Sequence, residues 1–454
     1  METLNNLLWA IPLVLFAAFL ALLAIDKLLM LTLFLAPLSI QLRFIYPGIP
    51  ADLFLPTEIF LAMILLVMVY KLGIRREIDN RIFKHPVTVA SVILLAWSLI
   101  TSLTGTMPLV SLKSTLARVW FFSGFFLLPL ALFIRGDKSR KYLYAYMTGM
   151  ILPALMFISK MYRSGLLNQE AAYMSTRPFF NDHTAIGAAL AFCVVFMATE
   201  VWRGRSGFLV TIARLFLLVL FTFSFVLSYS RAAWLSMAAA VAVMIIVGLR
   251  IRARILVPAG IAGLLIILFS WNIIISKAES EKAESGSDFG KHIRSVANVT
   301  TDASNLERIN RWKSGLRMAA GKPFLGYGPG TYQFLYAPYQ MSYEKTIIST
   351  NWGEGGNIHS EYLGSLTDSG IPGLLFYLVL VGTVLFVMLR VYSRSESREE
   401  RILVLGMTGA FFTYIVHGAL NNFLDTDKIS ALFWVIAAAV TALDIRNREK
   451  EETV

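Results

Sequence analysis

Residues 208–250 read FLVTIARLFLLVLFTFSFVLSYSRAAWLSMAAAVAVMIIVGLR. Two apolar runs, 208–228 and 231–249, meet at Ser228-Tyr-Ser-Arg231 with almost no polar linker between them. A helix needs about 20 apolar residues to cross the hydrocarbon core of a bilayer, and each run has that length. A soluble domain has nowhere to put two such helices back to back. The stretch predicts two membrane spans joined by a tight corner with an arginine in it.

The rest of the chain repeats this pattern. Hydrophobic residues make up 57% of the 454 and charged residues only 15%, against about 25% charged in a soluble domain. Apolar runs fall near 7–25, 28–46, 55–71, 86–104, 117–134, 142–160, 184–201, 208–228, 231–249, 255–275, 371–390, 402–420 and 429–445. The first two are joined only through Asp26-Lys27, which predicts a tight hairpin or a re-entrant piece and a total of twelve to thirteen spans. The fold class is therefore all-α, a polytopic helical bundle in which the bilayer replaces a soluble core. Residues 1–275 carry the first ten spans, 276–370 form one large external loop, and 371–454 carry the last three spans with a short tail. No cleavable signal is expected, because Glu2 and no Lys or Arg precedes the first run.

The net charge of +12 comes mainly from short connectors, which argues for membrane topology and against nucleic acid. Basic clusters lie at Lys71–His85, Arg135–Lys141, Arg203 to Arg214, Arg250 to Arg254, Arg390–Arg401 and Arg446–Lys450. Each is separated from the next by two spans, so all six share one face, which the positive-inside rule makes cytoplasmic. The remaining connectors then face the periplasm of a bacterial inner membrane. Cys193 is the single cysteine and lies inside an apolar run, so no intrachain disulfide can form and the thiol serves packing.

The loop 276–370 is about 95 residues long, far beyond the usual connection of about 4–6. Residues 277–358 hold ten Lys or Arg and eight Asp or Glu, so the loop is nearly neutral. Residues 278–290 are polar and predict a mobile segment. Ser304-Asn-Leu-Glu307 reads as a capping box opening a helix to about Ala320, stopped by Gly321-Lys-Pro323. Gly326-Tyr-Gly-Pro-Gly330 predicts a tight turn with positive φ. Tyrosines and Trp352 crowd the stretch that follows.

Several chemistries lack their residues. No Gly-Lys-Ser/Thr phosphate loop is present, and the five histidines are scattered, so no protein-held metal and no cofactor are expected. Asp425-Thr-Asp427 has the form of the acidic motif of sugar-nucleotide transferases, but the topology puts it on the side without nucleotides.

Three groups remain. Arg231 sits close to bilayer depth, where an arginine costs about 2.5 kcal/mol or more unless it is paired or faces a wet cavity. It is either an anchor reaching the headgroups or a binding residue. His359, in Asn357-Ile-His-Ser-Glu-Tyr-Leu363, ends the largest loop on the same face, and Glu361 is positioned to orient its ring. A neutral imidazole can take a proton from a hydroxyl. Arg308, Arg311, Lys313 and Arg317 line the loop helix, which a solvated face would explain. Arg308 and Trp312, four apart, share one side, and a guanidinium beside an aromatic suits a phosphate next to a sugar ring. Arg177 and His183 fall on the same face and are candidates for the same pocket.

Ser230-Arg-Ala-Ala-Trp234, Arg308-x-x-x-Trp312, Pro323-Phe-Leu-Gly-Tyr-Gly-Pro-Gly330 and His359-Ser-Glu-Tyr-Leu followed by Ser369-Gly-Ile-Pro-Gly373 resemble the O-antigen ligase and polymerase family. The resemblance covers roughly 175–390 and implies a metal-independent glycosyltransferase using an undecaprenyl-diphosphate-linked glycan donor. The acceptor would be a glycan or lipid A-core hydroxyl. It also implies that Arg231 and Arg308 grip the diphosphate and that His359 activates the acceptor. Ser360 departs from the asparagine usual after that histidine. Undecaprenyl diphosphate is a good leaving group, two arginines can neutralise its developing charge, and attack from the opposite side would invert the anomeric carbon. A ligase and a polymerase share these motifs. A lipid-linked glycan transporter, the rival of another class, would carry charges inside many spans and matching halves, and these spans are nearly charge-free.

Overall fold

The computed structural model describes residues 12, 15–45, 53–75, 79–136, 138–204, 207–250, 303–346, 349 and 356–452. Helices are numbered in chain order: α1 (Ile25–Leu35), α2 (Thr57–Tyr70), α3 (Pro86–Thr104), α4 (Pro108–Phe133), α5 (Ser139–Ser164), α6 (Gln169–Ser175), α7 (His183–Arg203), α8 (Phe208–Leu227), α9 (Arg231–Gly248), α10 (Ala303–Gly321), α11 (Glu361–Arg394), α12 (Arg398–Gly418) and α13 (Asp427–Glu452). Nine of those in the described residues are long and apolar enough to cross a membrane: α3, α4, α5, α7, α8, α9, α11, α12 and α13. The chain is an all-α, multi-pass membrane bundle. Helices satisfy every backbone group internally, which a bilayer demands.

Helix α13 runs through the middle of the bundle, with every residue from Asp427 to Ile445 buried. A helix that is apolar all round belongs in such a core. By contrast α8 presents Phe208, Leu209 and Val219 outward, as a lipid-facing helix should.

The N-terminal expectations change. Asp26 and Lys27 do not form a turn between two spans, because both lie in the first turn of α1 and only Ala24 separates that helix from helical residues 15–23. The run 28–46 is not one helix either. Pro37 lacks an N–H and ends the helical path, a 3-10 turn Ala36–Leu38 follows, and Ile40–Gln41 (β1) pairs antiparallel with Phe54–Leu55 (β2). Most of the span expected at 7–25, all of that at 255–275 and the polar stretch 278–290 lie outside the described residues.

The connectors that carry the basic clusters meet at one end of the bundle. Arg81 pairs with Glu449 at 3.0 Å, Arg394 with Glu451 at 3.0 Å, and Asn447 donates to Glu400 at 2.9 Å. Arg140 reaches both Glu200 (3.1 Å) and the Glu399 carbonyl (2.7 Å), and Arg203 pairs with Glu200 at 3.2 Å. Asp444, buried in the same end, takes a bidentate contact from Arg390 (2.8 and 2.6 Å) and one from His85 (3.2 Å).

At the opposite end the glycine-rich turn packs between two corners. Gly326, Gly328 and Gly330 all have positive φ, at 65°, 104° and 74°, as the sequence requires. Tyr327 and Gly328 donate their N–H groups to the carbonyls of Thr367 and Asp368 (2.9 and 2.8 Å), and Thr106 donates to the Tyr327 carbonyl at 2.8 Å. Helix α11 starts within the expected loop, ten residues before the predicted span, and breaks at Gly370 (φ 69°, ψ −171°). A Cβ there would overlap the Phe324 carbonyl, so only glycine allows the turn and the helix to approach so closely.

Candidate active site

The loop helix α10 is docked on the short strip that enters α11. Arg311 lies along its own helix, donating from Nε to Glu307 Oε1 at 2.8 Å, and crosses to the Asn357 carbonyl at 2.9 Å. Trp312 donates its indole N–H to the His359 carbonyl at 3.2 Å. Gly315 leaves room for Ile358, whose side chain a Cβ at 315 would overlap. These three contacts, one helical turn apart or less, fix the strip 357–359 to the loop helix.

His359 is the hinge of that strip. Its φ of 54° is left-handed, a region uncommon for a residue with a Cβ and frequent at functional sites. The backbone N–H donates to Asn357 Oδ1 at 3.1 Å, and ring Nδ1 lies 3.3 Å from Asn421 Oδ1. Burial pushes the imidazole down to about 4, helped by the cationic Arg311 and Arg308, while Asn421 and Asp182 act the other way. The ring is neutral at neutral pH.

Two further residues frame it. Arg308 and Asp182 each act electrostatically on both His359 and His417, and His183 acts on His417 as well. These five side chains therefore gather at one end of the bundle from α7, α10, α12 and the entry to α11. Asp182 caps α7, accepting from the N–H groups of Thr184 (2.7 Å) and Ala185 (2.8 Å). Those bonds and the Thr184 hydroxyl hold its carboxyl below the usual range although burial opposes them. His183 packs edge-on against Tyr173, 4.1 Å between ring centres.

Arg231 is the first residue of α9, after an N-cap at Ser230 that accepts from Ala233 N–H at 3.3 Å. Ser228 and Ser230 press against Gly187 on α7, one turn past His183. Arg231 thus stands at the same end as His183, half-buried.

Other candidates take different places. Arg311 is 6% exposed and engaged by Glu307 and Asn357, so it clamps the loop, while Arg308 is half-buried and donates to Asn305 Oδ1 at 3.2 Å. The indole of Trp312 holds the His359 backbone. Glu361 does not reach the His359 ring: its Oε1 accepts from Phe423 N–H and from Leu424 N–H at 2.8 Å, which pins the turn after α12. Lys313 and Arg317 do not simply face water, since both pair with the buried Glu344, at 3.4 and 2.7 Å. Arg177 is exposed and stacks on Phe44, 5.5 Å to the ring centre.

Asp425 and Asp427 part company. Asp425 pairs with Arg118 at 3.4 Å, whereas Asp427 is fully buried and accepts from Thr57. They do not face a shared ligand. Among the described residues no group of three or more His, Cys, Asp or Glu could hold a metal ion.

Sequence reasoning missed Asn421, Asp182 and His417. The topology put all three connectors or helix ends on this face, but an asparagine in Leu420-Asn-Asn-Phe-Leu-Asp425 carries no spacing that marks it.

Residues 215–378 match the family model described as O-antigen ligase. This stretch is similar to the O-antigen ligase family. It runs from within α8 to within α11 and contains Arg231, Arg308, Arg311, Trp312, His359 and Glu361. His183 and Asn421 lie outside the matched stretch in sequence and join its residues through the packing of α7 and α12. A comparison with curated proteins finds no match.

Proposed function

We propose that this protein is a glycosyltransferase of the ligase type, moving a glycan from an undecaprenyl-diphosphate carrier to an acceptor hydroxyl at the periplasmic face of the inner membrane. The observation that carries this reading is that His359, left-handed in its backbone and with ring Nδ1 3.3 Å from Asn421, lies at the end of the bundle away from the basic connectors, within electrostatic reach of Arg308. A base and an anion-binding group at one end of the bundle are what this transfer requires. His359 takes the proton of the acceptor hydroxyl as its oxygen forms a bond to the anomeric carbon. The bond from that carbon to the phosphate oxygen breaks, and its electron pair leaves with the lipid diphosphate.

Arg308, with Arg231 from the head of α9, meets the charge that develops on the leaving group. A guanidinium binds phosphate oxygens through two parallel N–H groups, and the effect is largest where little water competes. Attack opposite the leaving group inverts the anomeric centre. Neither a metal nor a nucleotide has a part in this scheme.

Purified protein in nanodiscs with lipid-linked donor and acceptor tests it. Arg231→Ala and Arg308→Ala should weaken donor binding and transfer together. His359→Gln should bind donor and fail to turn over. Near wild-type turnover by His359→Gln, or donor binding unchanged in both arginine variants, would sink the assignment. Accumulation of full-length, unattached lipid-linked chains in a deletion strain supports the ligase, and accumulation of single repeat units supports the polymerase.

A further inference from the structure

His359 has four polar atoms, and the structure accounts for three of them. The backbone N–H is held by Asn357 Oδ1 at 3.1 Å and the carbonyl by the Trp312 indole at 3.2 Å. Ring Nδ1 faces Asn421 Oδ1 at 3.3 Å. Among the described residues no hydrogen-bond partner meets Nε2, which leaves it for a substrate.

We infer that Asn421 is a positioning residue that fixes His359 as the Nδ1–H tautomer and so leaves the lone pair of Nε2 for the acceptor hydroxyl. This inference rests on the reading of His359 as the base. With the amide oxygen turned to the ring, as the structure has it, the facing nitrogen carries the proton, because an amide oxygen accepts hydrogen bonds and cannot donate them. The amide reversed would donate to Nδ1, place the proton on Nε2 and abolish the base.

The backbone of Asn421 is held firmly, while its amide Nδ2 is buried with no hydrogen-bond partner among the described residues. The residue is 2% exposed, and its backbone N–H donates to the His417 carbonyl at 3.0 Å as α12 ends. Two residues on, the carboxylate of Glu361 takes the N–H groups of Phe423 and Leu424. Glu361 thus acts on the imidazole at one remove, by securing the turn that presents Asn421.

The choice of an amide has a physical reason. The charged groups around the ring are Arg308 and Arg311 from α10 and Asp182 from the head of α7. A carboxylate at position 421 would favour the imidazolium and offset the cations that a diphosphate needs. An asparagine orients the ring without adding charge.

The test uses the full chain in nanodiscs with lipid-linked donor. Asn421→Ala should lower kcat by about 10–100-fold, the scale on which removing the outer partner of a metal-ligating histidine acts, with KM for donor unchanged. Asn421→Asp keeps an acceptor oxygen on Nδ1 and should retain turnover, while its acid limb moves up by about 1–3 pH units. Nitrogen NMR of labelled histidine in the wild-type protein should show protonated Nδ1 and bare Nε2. Wild-type kcat in Asn421→Ala, loss of turnover in Asn421→Asp, or an Nε2–H tautomer by NMR would each overturn the inference. If His359→Gln is inactive in the same assay, the failure belongs to Asn421 alone; if His359→Gln turns over, the base assignment itself is lost.

Discussion

Trp312 donates its indole N–H to the carbonyl of His359 across 3.2 Å, tying the loop helix to the one residue of the strip whose backbone is left-handed. Among the contacts that dock the loop, this one reaches the backbone of the residue that carries the imidazole. Trp312→Phe keeps an aromatic ring there and removes only the donor. It should cost about 0.5–1.5 kcal/mol of stability and lower turnover more than donor affinity, because the His359 backbone loses its hold. Thermal unfolding alongside donor binding and kcat checks this; an unchanged kcat would show that the bond does not position the base.

The pH dependence carries a sign. Burial, Arg311 and Arg308 depress the His359 imidazole from its ordinary 6.5 to about 4. The neutral ring is the active form, so activity is present above that value and lost as pH falls through it. The acid limb of kcat/KM, which reports the free enzyme, should lie near pH 4. A bound diphosphate opposes the two arginines and favours the imidazolium, so the acid limb of kcat should lie higher. Identical limbs for the two parameters would mean that donor charge is not felt at His359.

Arg308 and Arg311 should separate cleanly on substitution. Arg311→Ala leaves Glu307, 4% exposed, without its cationic partner, although Thr346 and Ser349 still donate to Oε2; breaking a buried ion pair costs about 3–5 kcal/mol. The loop should loosen and limited proteolysis should cut it faster. Arg308→Ala should leave unfolding nearly unchanged and abolish transfer. The reverse pattern would exchange the roles of the two arginines.

Gly370 sits at φ 69° against the Phe324 carbonyl. Gly370→Ala adds a Cβ in a left-handed position where space is already taken, at a cost of about 1–3 kcal/mol. The glycine-rich turn should detach from α11, which hydrogen exchange at Tyr327 and Gly328 would register as faster exchange. Protection equal to wild type at those amides would show that the turn does not depend on the break.

Reporter fusions test orientation. Fusions at Tyr339 should report the periplasm and fusions at Arg394 the cytoplasm, because the connectors of Arg81, Arg140, Arg394 and Arg448 gather at one end. A cytoplasmic signal at Tyr339 would invert the bundle and remove the proposed site from the periplasm.

What the sequence determined by itself is what one-dimensional physics can carry. An apolar run long enough to cross a bilayer must be helical there, so α3, α5, α7, α8, α9, α12 and α13 were legible from length alone, and Gly326, Gly328 and Gly330 announced positive φ by lacking a Cβ. The phase of basic connectors placed Arg231, Arg308 and His359 on one face before any contact was known. Pro37 and Gly370 show the limit: a proline within an apolar run, and a glycine whose neighbour is 46 positions away at Phe324, alter a helix for reasons that hydropathy does not contain.

Tertiary structure alone decided which of the polar residues on that face do which work. Arg308 and Arg311 have the same chemistry and lie three apart, yet Glu307 and the Asn357 carbonyl hold one, and Asn305 takes a bond from the other. Glu361, two residues from His359, turns away to the turn after α12, while Asn421, 62 residues distant, meets the ring. A side chain's direction depends on rotamer, helix phase and the surfaces packed against it, and none of these is a property of spacing along the chain.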